Sequence, residues 1–109
     1  MKKVIEMLEN NDFGTGEITK QGNEYYMEIN QYTPEGEDWN ECIWFNGTEK
    51  GFINSLEDRI YNFDIDEEAE IWVDSRGKNG VPSSIKALVE DAEWKLETLK
   101  SVCKELKNI

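Results

Sequence analysis

Six carboxylates lie within the twelve-residue stretch FDIDEEAEIWVD. Calcium loops begin with carboxylates at alternate positions, and Asp64, Asp66 and Glu68 have that spacing. The match ends there, because Ala69 stands where such a loop needs glycine and Ser75 stands where it needs a bidentate glutamate. We therefore expect neither a metal site nor a cofactor in this chain.

The sequence also lacks the side chains of the common catalytic sites. It contains no histidine, which removes Ser-His and Cys-His pairs, imidazole bases and most transition-metal sites. Carboxylates are abundant, but no pair of them stands out in an apolar setting. Cys42 and Cys103 lie in apolar company without a CxxC motif, and we expect two buried thiols. The sequence predicts a protein that is not an enzyme.

The charge of the chain is the feature that says most about its function. The formal net charge is −12, and it is unevenly placed. Positions 21–75 hold fifteen acids against Lys50 and Arg59, a net −13, whereas the two ends together come to +1. Such a field repels phosphates, so we expect no direct binding to nucleic acid. It attracts a basic protein surface, and this is the partner that the sequence predicts.

The length of 109 residues suffices for one domain, which we place at 1–109. The sequence contains no run of about 18 apolar residues, so it predicts no membrane span. The opening MKKVIEMLENND has acids within its apolar part, unlike a signal peptide. We expect a cytoplasmic protein that does not enter membranes.

Periodicity and turn residues predict an α+β fold with a four-stranded, mainly antiparallel sheet and a long C-terminal helix. The predicted order is α-β-β-β-α-β-α. Its elements are a helix at 2–9, strands at ITK, 24–32 and 41–45, a helix at 49–63 capped by Thr48, a strand at Glu70–Asp74 and a helix that follows Ser83. In this arrangement the acids after Phe63 lie at a helix exit, where the helix dipole disfavours negative charge.

The last helix carries an apolar seam with steps of four and three residues. Its members are Ile85, Val89, Ala92, Leu96, Leu99, Cys103 and Leu106. Two interpretations are open: the seam packs on the sheet of its own chain, or it pairs two subunits. We favour the first, and hence a monomer, with a homodimer as the alternative. Trp94 lies opposite the seam and needs cover from another element or from a partner.

Two of the predicted strands each have a face that is aromatic and acidic together. Tyr26 and Glu28 share one such face, and Glu70, Trp72 and Asp74 share the other. Mixed faces of this kind are typical of protein interfaces, where aromatic anchors are enriched. The alternative is that helices and loops of the same chain partly cover the rings. The predicted partner-binding residues are Asp64, Asp66, Glu67, Glu68, Glu70, Trp72, Asp74, Glu35, Glu37, Asp38, Tyr26 and Glu28.

The stretch FDIDEEAEIWVDSRGKNGVPSSIKALVEDAEWKLETLKSVCKEL resembles small acidic proteins of bacterial phages and mobile elements. The resemblance lies in an acidic run after FD, an IW stretch, a GVPS turn and an LVEDAE helix, and it covers roughly residues 24–107. It implies a bacterial host cell and a role against host defence, as in anti-CRISPR proteins. No individual residue carries over from it.

Together these observations predict a non-enzymatic inhibitor of a nucleic-acid-binding defence nuclease, with a CRISPR effector nuclease as a candidate partner. The acidic surface would occupy a basic groove for DNA or RNA by mimicking nucleic acid. The alternative is a structural or regulatory module of a mobile genetic element that forms a homodimer through its last helix.

Overall fold

The structure is a computed structural model that describes residues 1–34, 38–76 and 85–108, and only the backbone of 72–76 and 85. It is an α+β fold in which helices cover one face of an antiparallel sheet. The elements are α1 (Lys2–Asn10), β1 (Gly14–Thr15), β2 (Thr19–Gln21), β3 (Glu24–Tyr32), β4 (Asp38–Phe45), α2 (Glu49–Tyr61), α3 (Ile65–Arg76) and α4 (Ile85–Lys107). The predicted fold class, the four-stranded sheet and the long C-terminal helix are confirmed.

β3 is the central strand of the sheet. β4 pairs with one side of it in an unbroken antiparallel register from Tyr25 opposite Phe45 to Tyr32 opposite Asp38. The short strands β1 and β2 share its other side, at opposite ends. A tight turn joins β2 to β3, and there Gly22 has a φ of 64°, which glycine adopts without steric cost.

Strict alternation along β4 separates a covered face of the sheet from an open one. Trp39, Glu41, Ile43 and Phe45 are buried, and the residues that alternate with them are exposed. This alternation is the pattern of a strand with one face on a core and the other in water. Cys42 falls on the open face, so the predicted burial of its thiol is wrong, whereas Cys103 is buried as expected.

The core lies between the covered face of the sheet and the helices. It contains Val4, Leu8, Phe13, Met27, Ile29, Trp39, Ile43, Phe45, Phe52, Leu56, Leu99, Val102, Cys103 and Leu106. Aromatic edges meet faces within it, as between Phe45 and Phe52, whose ring centroids lie 5.4 Å apart. The covered face predicted for β3 is confirmed, since Met27 and Ile29 are both buried.

A short turn connects β4 to α2 and caps the helix. The Thr48 hydroxyl oxygen accepts a hydrogen bond from the Gly51 N–H at 3.0 Å, which confirms the predicted N-cap. Gly47 has a φ of 92°, and a Cβ at this position would lie 2.8 Å from the Tyr25 ring. Both the backbone conformation and the space therefore require glycine here.

The strand predicted at Glu70–Asp74 is wrong, because these residues belong to α3. Ile, Trp and Val favour strands locally, but the residues before them start a helix. The Asp64 carboxylate accepts the Glu67 N–H at 3.0 Å, and the Asp64 carbonyl accepts the Glu68 N–H at 3.0 Å. The fourth strand of the sheet is instead the short β1, which was not predicted. The other predicted elements occur in the predicted order.

α4 buries an apolar stripe against the rest of the chain. Leu99 and Leu106 are buried as predicted, and Leu88 and Val102 join them. In the described part of the predicted seam, Ala92, Leu99, Cys103 and Leu106 are buried within their own chain, and Val89 and Leu96 are partly buried, so that the buried stripe is rotated slightly from the predicted line. The side chain of Ile85 lies outside the described residues. Trp94 also finds cover, because its ring packs edge to face against Trp39 with centroids 6.2 Å apart. No helix in the described ranges combines the length and apolar character of a membrane span.

Candidate protein-binding surface

The acidic run begins α3 and does not end α2. Asp66, Glu67 and Glu68 occupy the first turn of α3, where the partial positive charge of the helix N-terminus favours carboxylates. The prediction that these acids lie at an unfavourable helix exit is therefore wrong. Asp66, Glu67 and Glu70 are exposed, and their carboxylates form no ion pair with the described part of the chain.

Glu68 differs from its neighbours because it points into the protein. Its carboxylate bonds to Arg59 of α2 and lies 3.0 Å from the Nζ of Lys95 on α4. Glu41 of β4 meets the same two bases: it bonds to Arg59 and lies 2.9 Å from the Lys95 Nζ. Four charged side chains from four elements thus form one closed network. Glu68 belongs to this internal network and is not available as a docking residue.

The two bases hold Glu41 in its charged form. Burial alone would raise the pKa of Glu41, but hydrogen bonds from Arg59 and Lys95 and their positive charges outweigh it. The pKa of the Glu41 carboxyl is therefore lowered. For Arg59, burial alone would lower the pKa, and the bonds to Glu41 and Glu68 outweigh it, so that its pKa is raised. Each charge is retained inside the protein because the opposite charges are retained beside it.

Aromatic rings enclose the network. The Lys95 ammonium lies 5.1 Å from the Trp39 ring centroid, and the Arg59 guanidinium lies 4.7 Å from that of Phe63. Lys95 is only 3% exposed, so its charge does not reach the surface. Two acids and two bases cancel within the network. The net charge of −12 is therefore carried entirely by the other residues of the chain.

The open face of the sheet combines exposed rings and carboxylates. Trp44 is 43% exposed and packs on Tyr26, with ring centroids 4.7 Å apart. Tyr32, at the end of the same face, is 71% exposed. Glu28 lies opposite Cys42, and burial together with the charges of Glu28 and Glu41 raises the pKa of this thiol. The mixed aromatic and acidic face predicted for β3 is present on the sheet.

The predicted site residues fall on two surfaces of the protein. Tyr26, Glu28 and Asp38 lie on or beside the open face of the sheet. The acids of α3 lie on the helical side, because Arg59 and Lys95 join Glu68 of α3 to Glu41 from the covered face. Glu35 and Glu37 lie outside the described residues, and of Trp72 and Asp74 only the helical backbone is described.

Several residues of the candidate surfaces and of the internal network were not predicted, although the sequence held a signal for them. Trp44 follows from the alternation of DWNECIWF, which places it on the open face with Cys42. Lys95 lies four residues from Leu99 on a buried stripe, and a charge at such a position indicates an internal partner. Glu90 and Glu93, also exposed, add two acids to the surface of α4.

Three lysines lie in the C-terminal part of α4. A groove of about 420 Å³ between α2 and α4 is lined by Lys100, Lys104 and Lys107 together with apolar groups of Ile60 and Cys103. The Lys107 ammonium lies 2.9 Å from the Glu57 carboxylate, and this hydrogen bond raises the pKa of Lys107. The C-terminal half of α4 therefore adds lysines to the surface, and two of them are paired with carboxylates, Lys100 with Glu97 and Lys107 with Glu57.

Among the residues that the structure describes, no three His, Cys, Asp or Glu side chains group as ligands for a metal ion. No protein-family model, curated protein or solved structure matches the chain. The resemblance to phage and mobile-element proteins stays a prediction.

Proposed function

We propose that this protein is a non-enzymatic inhibitor that docks on a basic, nucleic-acid-binding defence nuclease of a bacterial cell. The observation that carries the proposal is the separation of charge between interior and surface. Arg59 and Lys95 are held in an internal network, whereas exposed carboxylates on α3 remain without a cationic partner in the described chain. A surface of this kind is steered to a groove that binds phosphates.

The acids of α3 are held at fixed spacing. Asp66 and Glu70 are four residues apart on one helix, which places their side chains about 5–6 Å from each other. DNA carries a phosphate about every 3.4 Å of helix axis on each strand, so the helix presents charges at a comparable density. Packing of α3 against α4 brings the two helices together, and the exposed Glu90 and Glu93 of α4 extend the acidic surface.

A rigid acidic surface has an energetic advantage over a flexible one. The carboxylates are carried on helices that the internal network ties to the sheet through Glu68, Arg59 and Lys95. Their positions are therefore largely set before a partner arrives, which reduces the entropy lost on binding. Occupation of the groove by this surface excludes DNA or RNA without any reaction at the inhibitor itself.

The alternative, a homodimeric module of a mobile element, would need a surface other than the seam of α4. Leu99 and Leu106 of that seam are buried within their own chain. We therefore keep the monomeric inhibitor as the proposed function, acting in the cytoplasm where such nucleases meet invading DNA.

Cleavage assays with purified CRISPR effector nucleases test the proposal. Each nuclease, loaded with its guide RNA, is mixed with the protein before labelled target DNA is added. We expect cleavage by at least one effector type to be blocked near equimolar inhibitor. A variant with Asp66→Asn, Glu67→Gln and Glu70→Gln should be a weaker inhibitor. Uninhibited cleavage by every effector type would contradict the proposal.

A further inference from the structure

The outer edge of β4 is a row of backbone groups that have no partner in the described part of the chain. The carbonyl of Glu28 accepts the Gly16 N–H at 2.8 Å, so the main chain of Glu28 faces away from β4. Cys42 lies opposite Glu28, and in an antiparallel pair the N–H and C=O of such a residue point outward. The same alternation turns the backbone groups of Asn40 and Trp44 to this edge. Within the described ranges, these groups form no hydrogen bond.

β4 lacks most of the features that discourage pairing at an edge, and its one inward-pointing charge, that of Glu41, is paired with Arg59 and Lys95. Natural edge strands are commonly protected by lysine, by proline or by a bulge. β4 has none of these: its sequence is DWNECIWF, and its register with β3 runs without interruption over eight residue pairs. At about 3.3 Å per residue, the edge is about 26 Å long, enough for a complete additional strand.

The side chains beside the edge determine which strand would fit. The open face contributes the Tyr26–Trp44 ring pair next to β4. Three carboxylates share this face, those of Glu24, Glu28 and Asp38, and none of them forms an ion pair with the described chain. Its strand positions hold no lysine or arginine, because Lys20 lies opposite Tyr25 on the other face.

We propose that β4 binds an extended, arginine- or lysine-containing segment of a basic partner protein as an additional strand of the sheet. Backbone hydrogen bonds to Asn40, Cys42 and Trp44 would supply affinity, as in other strand-addition complexes. Cationic side chains at alternate positions would lie over Trp44 and extend across Cys42 towards Glu28. A second copy of this chain fits poorly, because it would bring its own acids against those of the open face. This inference rests on the proposed function and names a further contact of the same partner.

Fluorescence anisotropy with a labelled octapeptide of alternating arginine and valine tests the proposed strand addition. We expect saturable binding at about 100 mM salt, where the Debye length is about 10 Å. The same peptide with N-methyl groups on alternate backbone amides keeps its charge but loses its edge donors. It should bind at least about tenfold more weakly, as the loss of two net hydrogen bonds implies. Equal binding of the two peptides would overturn the inference.

Matched variants locate the binding site. Trp44→Ala should weaken peptide binding about tenfold, as the loss of an aromatic anchor does. Tyr61→Ala is the control, because Tyr61 is an aromatic residue that is 89% exposed on α2, and this variant should bind like the wild type. Amide NMR shifts caused by the peptide should centre on residues 38–45. Shifts centred on α3, or self-association of the free protein through β4, would overturn the inference.

Inhibition assays separate this inference from the proposed function. If Trp44→Ala inhibits a nuclease as well as the wild type while neutralisation of Asp66, Glu67 and Glu70 abolishes inhibition, the strand addition is wrong and the proposed function stands. If the peptide binds at β4 but no nuclease is inhibited, the proposed function fails and the edge is still a binding site for basic segments.

Discussion

Two neighbouring glutamates of α3 have opposite environments. Glu67 is exposed and makes no ion pair in the described chain, whereas the buried carboxylate of Glu68 meets Arg59 and Lys95. Removal of one partner from a buried network leaves the opposite charges incompletely compensated. The two residues should therefore contribute very differently to the free energy of unfolding although they are adjacent in the sequence.

Glu68→Gln should lower the free energy of unfolding by about 1.5–3 kcal/mol, the typical contribution of a hydrogen bond to a charged group. Glu67→Gln is the matched control and should change it by no more than about 0.5 kcal/mol. Urea unfolding of both variants at neutral pH measures the difference. Equal stability of the two variants would show that the internal network contributes nothing to folding.

Glu41 should make the stability depend on pH. Because its folded pKa is lowered, its contribution is fully present above the unfolded pKa of about 4.3 and is lost as the pH falls through the folded pKa. The difference in free energy of unfolding between wild type and Glu41→Gln should be constant from about pH 7 to about pH 5 and should shrink towards about pH 3. Urea unfolding across this range measures it. A difference that stays constant down to pH 3 would contradict the assigned role of Glu41.

At the scale of single residues, the sequence predicts poorly which carboxylates are exposed. Within the acidic run every carboxylate looks alike, and Glu68 was therefore predicted as a docking residue. What distinguishes it lies elsewhere in the chain, with Arg59 nine residues before it and Lys95 twenty-seven residues after it. Tertiary structure alone brings these side chains together. By contrast, Tyr26 and Glu28 were placed on the open face correctly, because alternation in a strand is a local property.

Among the elements, α3 shows how the start of a helix decides a segment that is locally ambiguous. The Asp64 side chain satisfies the N–H of Glu67, and the acids that follow are favoured by the helix dipole. The IWV residues were predicted as a strand from their side-chain types alone, without weighing this start signal. The capping residue Asp64, six residues before the predicted strand, was the information needed.

Asp64→Ala should lower the free energy of unfolding by about 1 kcal/mol, because it removes the side-chain acceptor at the start of α3. Glu70→Ala is the control, since Glu70 is an exposed acid of the same helix outside its first turn, and its effect should stay within about 0.5 kcal/mol. Thermal and urea unfolding measure both changes. A stability of Asp64→Ala equal to that of the control would argue against the cap.

α4 offers a comparison between two leucines of the predicted seam. Leu99 is fully buried in the core, and Leu96 is only partly buried. Leu99→Ala should cost about 2–5 kcal/mol at any protein concentration, and Leu96→Ala should cost clearly less. Chemical unfolding at two concentrations, with light scattering, checks this. A cost for Leu99→Ala that depends on concentration would indicate that the helix pairs subunits.

On the scale of the whole molecule, the charges that stabilise the fold and the charges exposed on the surface are different residues. The interior uses its own balanced charges, and the exposed acids of α3 repel one another without a compensating partner in the described chain. Such repulsion destabilises the folded chain and becomes useful only when an opposite charge binds. The sequence shows the excess of acids as a net charge of −13 at positions 21–75. It does not show which of these acids are paired inside the protein and which are exposed.

Displacement of labelled DNA from a guide-loaded CRISPR effector nuclease tests the central claim, competition for a nucleic-acid groove, most directly. The protein should displace DNA competitively, and its apparent affinity should fall steeply between about 100 and 300 mM salt, because screening weakens charge steering. The variant with Asp66→Asn, Glu67→Gln and Glu70→Gln should displace DNA poorly and lose much of this salt dependence, while the unaltered protein itself binds no DNA in a gel shift. Displacement by the neutralised variant at wild-type affinity, or micromolar binding of the wild type to DNA, would contradict the account.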